Sequence, residues 1–292
     1  IGKKHLELAM KEVHCRPLRK KHPFNFTLLR IPFYLEPNYS EDAQFHESNH
    51  VRLKRKWGGH DAFETQKARH GLKERGEEVG ISYFNLQRLA SSTRLSHRLV
   101  QYMTNKYGIT VSEALYAELN YNHFVLGQKL NDIEMLLDAA DIAVERAMAM
   151  EHTIHLKDQK AGTNVFDRTN QVNEGSESRW QWTNQVNGNG FDRTEAYIYL
   201  KDQKAGTNVL EKIQKQLDQL GISSIPTFII GGQYMIGGAA RSDEFIDIFR
   251  QIEKEHPKRG LTKSVFGSTL NFSNAVLDDT LKLACTELQC MQ

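Results

Sequence analysis

Residues Gly221–Gly238 read GISSIPTFIIGGQYMIGG, and the reading of this stretch decides the fold. From Ile225 to Ile230 it is apolar, β-branched and aromatic over the length of a short strand. Pro226 stands at the mouth of that run. A proline has no N–H to give a ladder, so the spacing predicts it at the first position of the strand. Gly231-Gly232 is a two-residue signal of the kind that closes tight hairpins, and Gln233–Ile236 reads as the returning strand. Beyond it, Phe245, Ile246, Ile248, Phe249 and Ile252 recur at helical spacing between Arg241 and Glu255, which predicts one buried stripe. The expected order is strand, hairpin, strand, helix.

Working outward, Leu6, Met10 and Val13 share one face of a helix over Ile1–Val13. His22-Pro23 breaks it, Asn25–Phe33 carries a strand, and Pro32 and Pro37 prevent continuation of its ladder. From Ser40 to about Met150 the pattern is helical, interrupted at Gly58-Gly59, Gly71, Gly80 and Gly108. Asn131, three residues before Glu134 and ahead of Leu136, Leu137 and Ala140, marks a capped helix start. Leu210, Ile213, Leu217 and Leu220 form a helical stripe that runs directly into the Pro226 strand. In the tail, Val276, Leu277, Leu281, Leu283 and Ala284 suit a short helix with no evident function.

A repeat interrupts this pattern. Glu151–Val165 recurs at Glu195–Val209 with only three differences, and Phe-Asp-Arg-Thr and Thr-Asn-Gln-Val-Asn each occur twice in between. A solenoid needs at least about three units around a periodic apolar core, which this stretch lacks. Its Gly, Asn, Gln, Ser and Thr content predicts a poorly ordered loop from His152 to Glu195, arising from duplicated coding sequence or a misread gene structure. The second copy is the one expected to belong to the fold.

Composition narrows the function classes. The net charge is only +2 and charged residues make up 25%, which gives no electrostatic case for nucleic acid. The basic run Arg52–Lys56 reads as a solvated helix face rather than a phosphate or localisation patch. No segment approaches the roughly 18 apolar residues of a membrane span. Three cysteines do not make a disulfide framework, and a cytoplasmic protein is expected. His46 with His50, and His152 with His155, lack the third and fourth convergent ligands a metal site needs. Neither Gly231-Gly232 nor Gly237-Gly238 opens a phosphate cradle, so no cofactor is expected.

Ser224-Ile225-Pro226-Thr227-Phe228, the Ile-Ile-Gly-Gly hairpin and Gly237-Gly238-Ala239 together resemble the DsbA-like thioredoxin family, in its FrnE-type branch. Ile1-Gly2-Lys3-Lys4-His5-Leu6-Glu7 looks like that family's first helix, just after its redox motif. Phe26–Phe33 with Leu35 and Pro37 is similar to its second strand, and Ser96-His97-Arg98-Leu99 to a segment of its helical insert. The resemblance implies an α/β thioredoxin fold interrupted by an all-helical insertion domain. Residues 1–38 and 205–257 would form the thioredoxin-like halves, 39–151 the helical insertion, 152–195 the duplicated loop and 258–292 a C-terminal extension.

The family's Cys-x-x-Cys pair is absent: none of Cys15, Cys285 and Cys290 forms one. The resemblance places the pair just upstream of Ile1, and implies that the chain as given lacks the first strand and carries no catalytic residue of its own. It implies a cis Ile225–Pro226 bond, with Ile225, Pro226 and Thr227 binding substrate. From the residues alone, a trans proline opening an edge strand remains open. The leading expectation is a thiol–disulfide oxidoreductase acting on protein or peptide disulfides. The alternatives are a glutathione-dependent enzyme of the kappa-transferase and isomerase type, with a serine replacing the first cysteine, and a redox-inactive peptide-binding protein. His97 and Arg98 are expected to be hydrogen-bonded or solvated rather than to reach substrate, and Cys15 to be a half-buried inert thiol.

Overall fold

The computed structural model describes residues 1–19, 24–160, 190–255, 265–270, 272–273 and 276, with the backbone alone for 151–160. The first helix, α1 (Gly2–Cys15), buries Leu6, Ala9, Met10 and Val13 along one stripe. Residues 24–34 then run back along it as an extended segment. His14 Nδ1 lies 3.0 Å from Phe24 O at the far end of α1, while Arg30 and Lys3 meet on Glu113 near its start. Phe24, Phe26 and Leu28 pack towards α1, and Leu29, Ile31 and Phe33 pack towards the opposite layer. That alternation is the period of a strand covered on both faces. No ladder forms over the expected strand Asn25–Phe33, however, among the described residues. Its side chains find two layers, but a strand also needs a neighbouring backbone.

The middle of the chain is helical. A short ladder pairs β1 (Glu47–Ser48) with β2 (Leu89–Ala90), and between them lie α2 (Asn49–Trp57), α3 (His60–His70) and α4 (Leu72–Glu77). Gly58 ends α2 at φ 88, a conformation that costs an L side chain about 1–2 kcal/mol. The long α5 (Arg94–Phe124) is broken at Gly108, and α6 (Ile133–Lys160) packs along it. Ala139, Ala140, Ala143 and Ala147 are all buried in that contact, with Leu99, Met103, Tyr107, Leu115, Leu136 and Leu137 filling the space around them. The cap of α6 is Asp132, whose Oδ1 accepts from the N–H groups of Glu134 and Met135 at 3.1 and 3.3 Å. Asn131, the residue expected there, is instead buried, and donates to Asp42 O and Phe45 O.

The described flanks of the duplicated stretch are helical: 152–160 continue α6, and α7 (Arg193–Lys201) begins inside the stretch expected to be poorly ordered. Residues 161–189 lie outside the described residues. Asp192 caps α7 through Glu195 N at 2.8 Å, and Arg193 reaches Glu134, Asp138 and Asp141 of α6 at 2.8, 2.8 and 2.7 Å. Buried Arg98 of α5 donates to the carbonyls of Tyr199, Leu200, Asp202 and Ala205, which saturates the end of α7. The chain then enters α8 (Thr207–Gln219), where Leu210, Ile213 and Leu217 are buried. Leu220, expected on the same stripe, is the C-cap and 40% exposed.

The hairpin follows. β3 (Thr227–Ile230) pairs antiparallel with β4 (Tyr234–Gly237), Thr227 opposite Gly237 and Ile230 opposite Tyr234. Gly231 and Gly232 turn at φ 59 and 70, the primed geometry that fits strand twist. Next, α9 (Ser242–Glu255) packs against α1 through Phe245 and Phe249. A last short turn, α10 (Gly267–Leu270), sets Leu270 against α8. The tail helix expected beyond Val276 lies outside the described residues.

Candidate functional site

The loop before β3 is pinned from one side. Pro226 O accepts from Gly238 N at 2.8 Å, and Thr227 Oγ1 donates to Ser224 O at 2.7 Å. The Ile225–Pro226 peptide bond is cis. Ile225 itself is 47% exposed, and its main chain makes no hydrogen bond among the described residues. Across from this loop stands the first turn of α1. A Cβ on Gly2 would meet Pro226 Cγ and Phe228 Cζ, each at 3.4 Å, so the proline ring lies within one side chain's reach of the helix start. The three residues expected to bind substrate therefore line one wall of a cavity whose other wall is a helix N-terminus.

That cavity is large, about 2360 Å³, and its rim is apolar: Leu35, Leu72, Tyr83, Tyr121 and Ile225 all combine exposure with a place on its lining. Charged side chains line it as well, Lys3, Glu7 and Arg30 among them. Arg30 Nε and Nη2 donate to the two carboxylate oxygens of Glu113 at 2.6 and 2.7 Å, and its guanidinium lies 4.2 Å from the centre of the Tyr116 ring. Lys3 lies 3.7 Å from Glu113 and also pairs with Glu7. Burial acts to raise the Glu7 carboxyl, but Lys3 and Lys4 outweigh it and hold its pKa below the usual value. Burial likewise opposes the Arg30 charge, and Glu113 overrides it. This network ties α1 and the extended segment to α5. Nothing in the sequence announces it, because Arg30 and Glu113 are ordinary charged residues on distant elements.

The arrangement has two chemical assets. A helix N-terminus carries unpaired N–H groups and the positive end of the helix dipole, which favour an anion such as a thiolate. A proline beside an exposed peptide group leaves backbone positions to which an extended chain can pair. Among the described residues no cysteine stands here: Cys15 closes the opposite end of α1 and is disulfide-bonded, not the inert free thiol expected.

The remaining candidates are held by other partners. His97 also lines the cavity, with Nε2 3.2 Å from Phe33 O, and burial pushes its pKa down to about 4. Arg98 is consumed by carbonyls. Arg52 and Arg55 of the basic run pair with Glu36 and Glu47 at 2.7 and 2.8 Å. His46 Nδ1 lies against Gln44 O, and His50 packs edge-on to Phe63. The side chains of His152 and His155 lie outside the described residues. Among the described residues no group of three or more His, Cys, Asp or Glu could hold a metal, and no helix is long and apolar enough to cross a membrane.

No known family profile matches the chain, and neither does any curated protein. A solved structure does. The crystal structure of a probable DsbA oxidoreductase from Streptomyces coelicolor is similar over 90% of this chain and 87% of that one, with a TM-score of 0.57 and 18% sequence identity. At that identity the similarity speaks for the fold: the chain has a DsbA-like thioredoxin fold interrupted by a helical insertion.

Proposed function

We propose that this chain is the body of a cytoplasmic thiol–disulfide oxidoreductase, DsbA-like and of the FrnE type, acting on protein or peptide disulfides. The observation that carries the reading is the close approach of Pro226 to the first turn of α1. A Cys-x-x-Cys joined to Ile1 would end against that turn, beside Ile225, Pro226 and Thr227. Its first thiolate attacks one sulfur of a substrate disulfide. The S–S electron pair leaves on the other substrate sulfur, which takes a proton. The second cysteine, as thiolate, then displaces the mixed disulfide, releasing a reduced substrate and an oxidised pair. Run backwards, the same steps oxidise a dithiol. Sulfur alone carries the electrons, so the reaction calls for neither metal nor organic cofactor. The apolar rim and the exposed peptide at Ile225 suit an extended, unfolded substrate segment. In this reading residues 1–38 and 205–257 form the redox body and 39–151 the insertion that walls the groove.

The test is peptide mapping of the native protein's N-terminus, alkylated before and after reduction. The expected result is two cysteines within a few residues of Ile1, alkylated only after reduction. A serine at the first position together with retention on a glutathione resin would move the activity to glutathione chemistry. Neither cysteine nor serine there would leave a redox-inactive peptide binder.

A further inference from the structure

The helical insertion gives the cavity a wall that sulfur chemistry does not use. In α2, Arg52 and Lys56 stand four residues apart on the lining, while Arg55 between them pairs away with Glu47. In α4, Leu72 and Arg75 stand three apart on the lining, again on one helix face. Gly76 seats that helix. A Cβ there would meet Phe84 Cε2 at 2.6 Å and Ile81 O at 3.0 Å, so α4 lies directly on residues 81–84. Phe84 meets Phe124 edge-on with ring centroids 6.4 Å apart, and Asn85 N donates to Phe124 O at 2.6 Å, which joins the wall to the end of α5. Exposed Leu72, Tyr83 and Tyr121 give it apolar surface.

The charge on the lining is one-sided. Seven lysines and arginines line the cavity against two glutamates, Glu7 and Glu253. Four of the seven are answered: Arg30 by Glu113, Arg52 by Glu36, and Lys3 and Lys4 by Glu7. Lys56, Arg75 and, beyond the far end of α1, Arg19 are exposed and pair with no carboxylate among the described residues. Glu74, Glu77 and Glu78, the acids nearest Arg75 in sequence, lie off the lining, and Lys73 answers Glu77 at 4.0 Å. Unanswered cations beside apolar surface complement a partner that is acidic and apolar together. They are too few to follow a phosphate backbone, whose binding rests on a run of them.

We propose that this wall selects among the polypeptide segments the groove accepts, favouring those that carry carboxylates between large apolar side chains. Lys56 and Arg75 meet the carboxylates, and Leu72, Tyr83 and Tyr121 cover the apolar side chains. The inference rests on the reading of the groove as a site for polypeptide. At an exposed rim such charges act on specificity and association rate more than on raw affinity, and salt weakens them.

The test uses two cysteine-free peptides of equal length, one repeating Glu-Leu-Glu-Phe and the other Lys-Leu-Lys-Phe, each carrying an uncharged dye. Both are titrated into the full chain and read by fluorescence anisotropy. The expected result is about tenfold tighter binding of the acidic peptide at low salt, shrinking to about twofold at high salt. Lys56→Glu with Arg75→Glu should invert the preference, and exposed side chains without a pair can be exchanged with the fold intact. Lys54→Glu with Lys73→Glu makes the same change of charge on the same two helices but off the lining, and should leave the preference in place. Equal binding of the two peptides, binding of neither, or an equal effect of the two double variants would overturn the proposal. Displacement of the acidic peptide by a single-stranded oligonucleotide would overturn it too. The peptides hold no sulfur. A mapped cysteine pair with no acidic preference would therefore sink this inference alone, and an acidic preference without that pair would remove the redox reading alone.

Discussion

The packed contact of α5, α6 and α7 and the extended chain beside the cavity, residues 24–34 with β3, are built from similar side chains but differ in self-sufficiency. In the helical region each backbone bond is closed within a few residues, so packing only has to join finished surfaces. Alanines let α5 and α6 approach, Leu99 and Leu136 fill the seam, and Arg193 and Arg98 bind α7 on either side. Residues 24–34 bury the same kind of side chains in two layers but form no ladder among the described residues, and side chains from other elements, His14, His97 and Gln101, meet the main chain at Phe24, Phe33 and Arg30. Apolar burial is therefore a local achievement for a helix and a collective one for a strand.

The contrast can be broken first in the helical seam. Leu99→Ala, at a fully buried position, should cost about 4 kcal/mol in urea unfolding, whereas Leu28→Ala beside the cavity should cost only about 1 kcal/mol, because its neighbours can settle. Equal losses would show the cavity wall to be as tightly packed as the seam. Next comes the tie between the two regions. Arg30→Met leaves Glu113 without its bidentate partner and should cost about 3 kcal/mol, most of it recovered in the double variant Arg30→Met with Glu113→Leu. A double variant no more stable than the single would sink that account.

Acid should act on the histidines of both regions. His97 and His123 are each pushed down to about 4 by burial, so the unfolded chain binds their protons more readily than the folded one. The stability they allow is present above about pH 6.5 and is lost as pH falls from there towards 4, on the order of 2 kcal/mol for each. His97→Gln with His123→Gln should flatten that slope in thermal melts read across the window. The smallest effect is expected at the hairpin. Gly232→Ala, at φ 70, should cost about 1 kcal/mol and leave the seam's exchange rates unchanged.

What could be read from residues alone follows the same division. The hairpin and α9 were legible because Gly231-Gly232, Pro226 and the Phe245–Phe249 stripe are local signals. The helix breaks at Gly58 and Gly108 were legible for the same reason. The cap at Asp132 was missed by one residue, since Asn131 and Asp132 are both good caps and tertiary contacts at Asp42 and Phe45 drew Asn131 inward. Leu220 fitted the stripe of α8 but falls at the turn that ends it. At the site, Pro226 could be placed from its strand. Its closeness to Gly2 came only with the fold, as did the Arg30–Glu113 pair, because these residues meet through elements far apart in sequence.

Arg98 has a consequence for how the helices around it can move. By holding the carbonyls of Tyr199, Leu200, Asp202 and Ala205, it ties the end of α7 and the turn into α8 to one point on α5. A single buried guanidinium thus serves three helices as a common rivet, and one substitution there would loosen every one of those joints together.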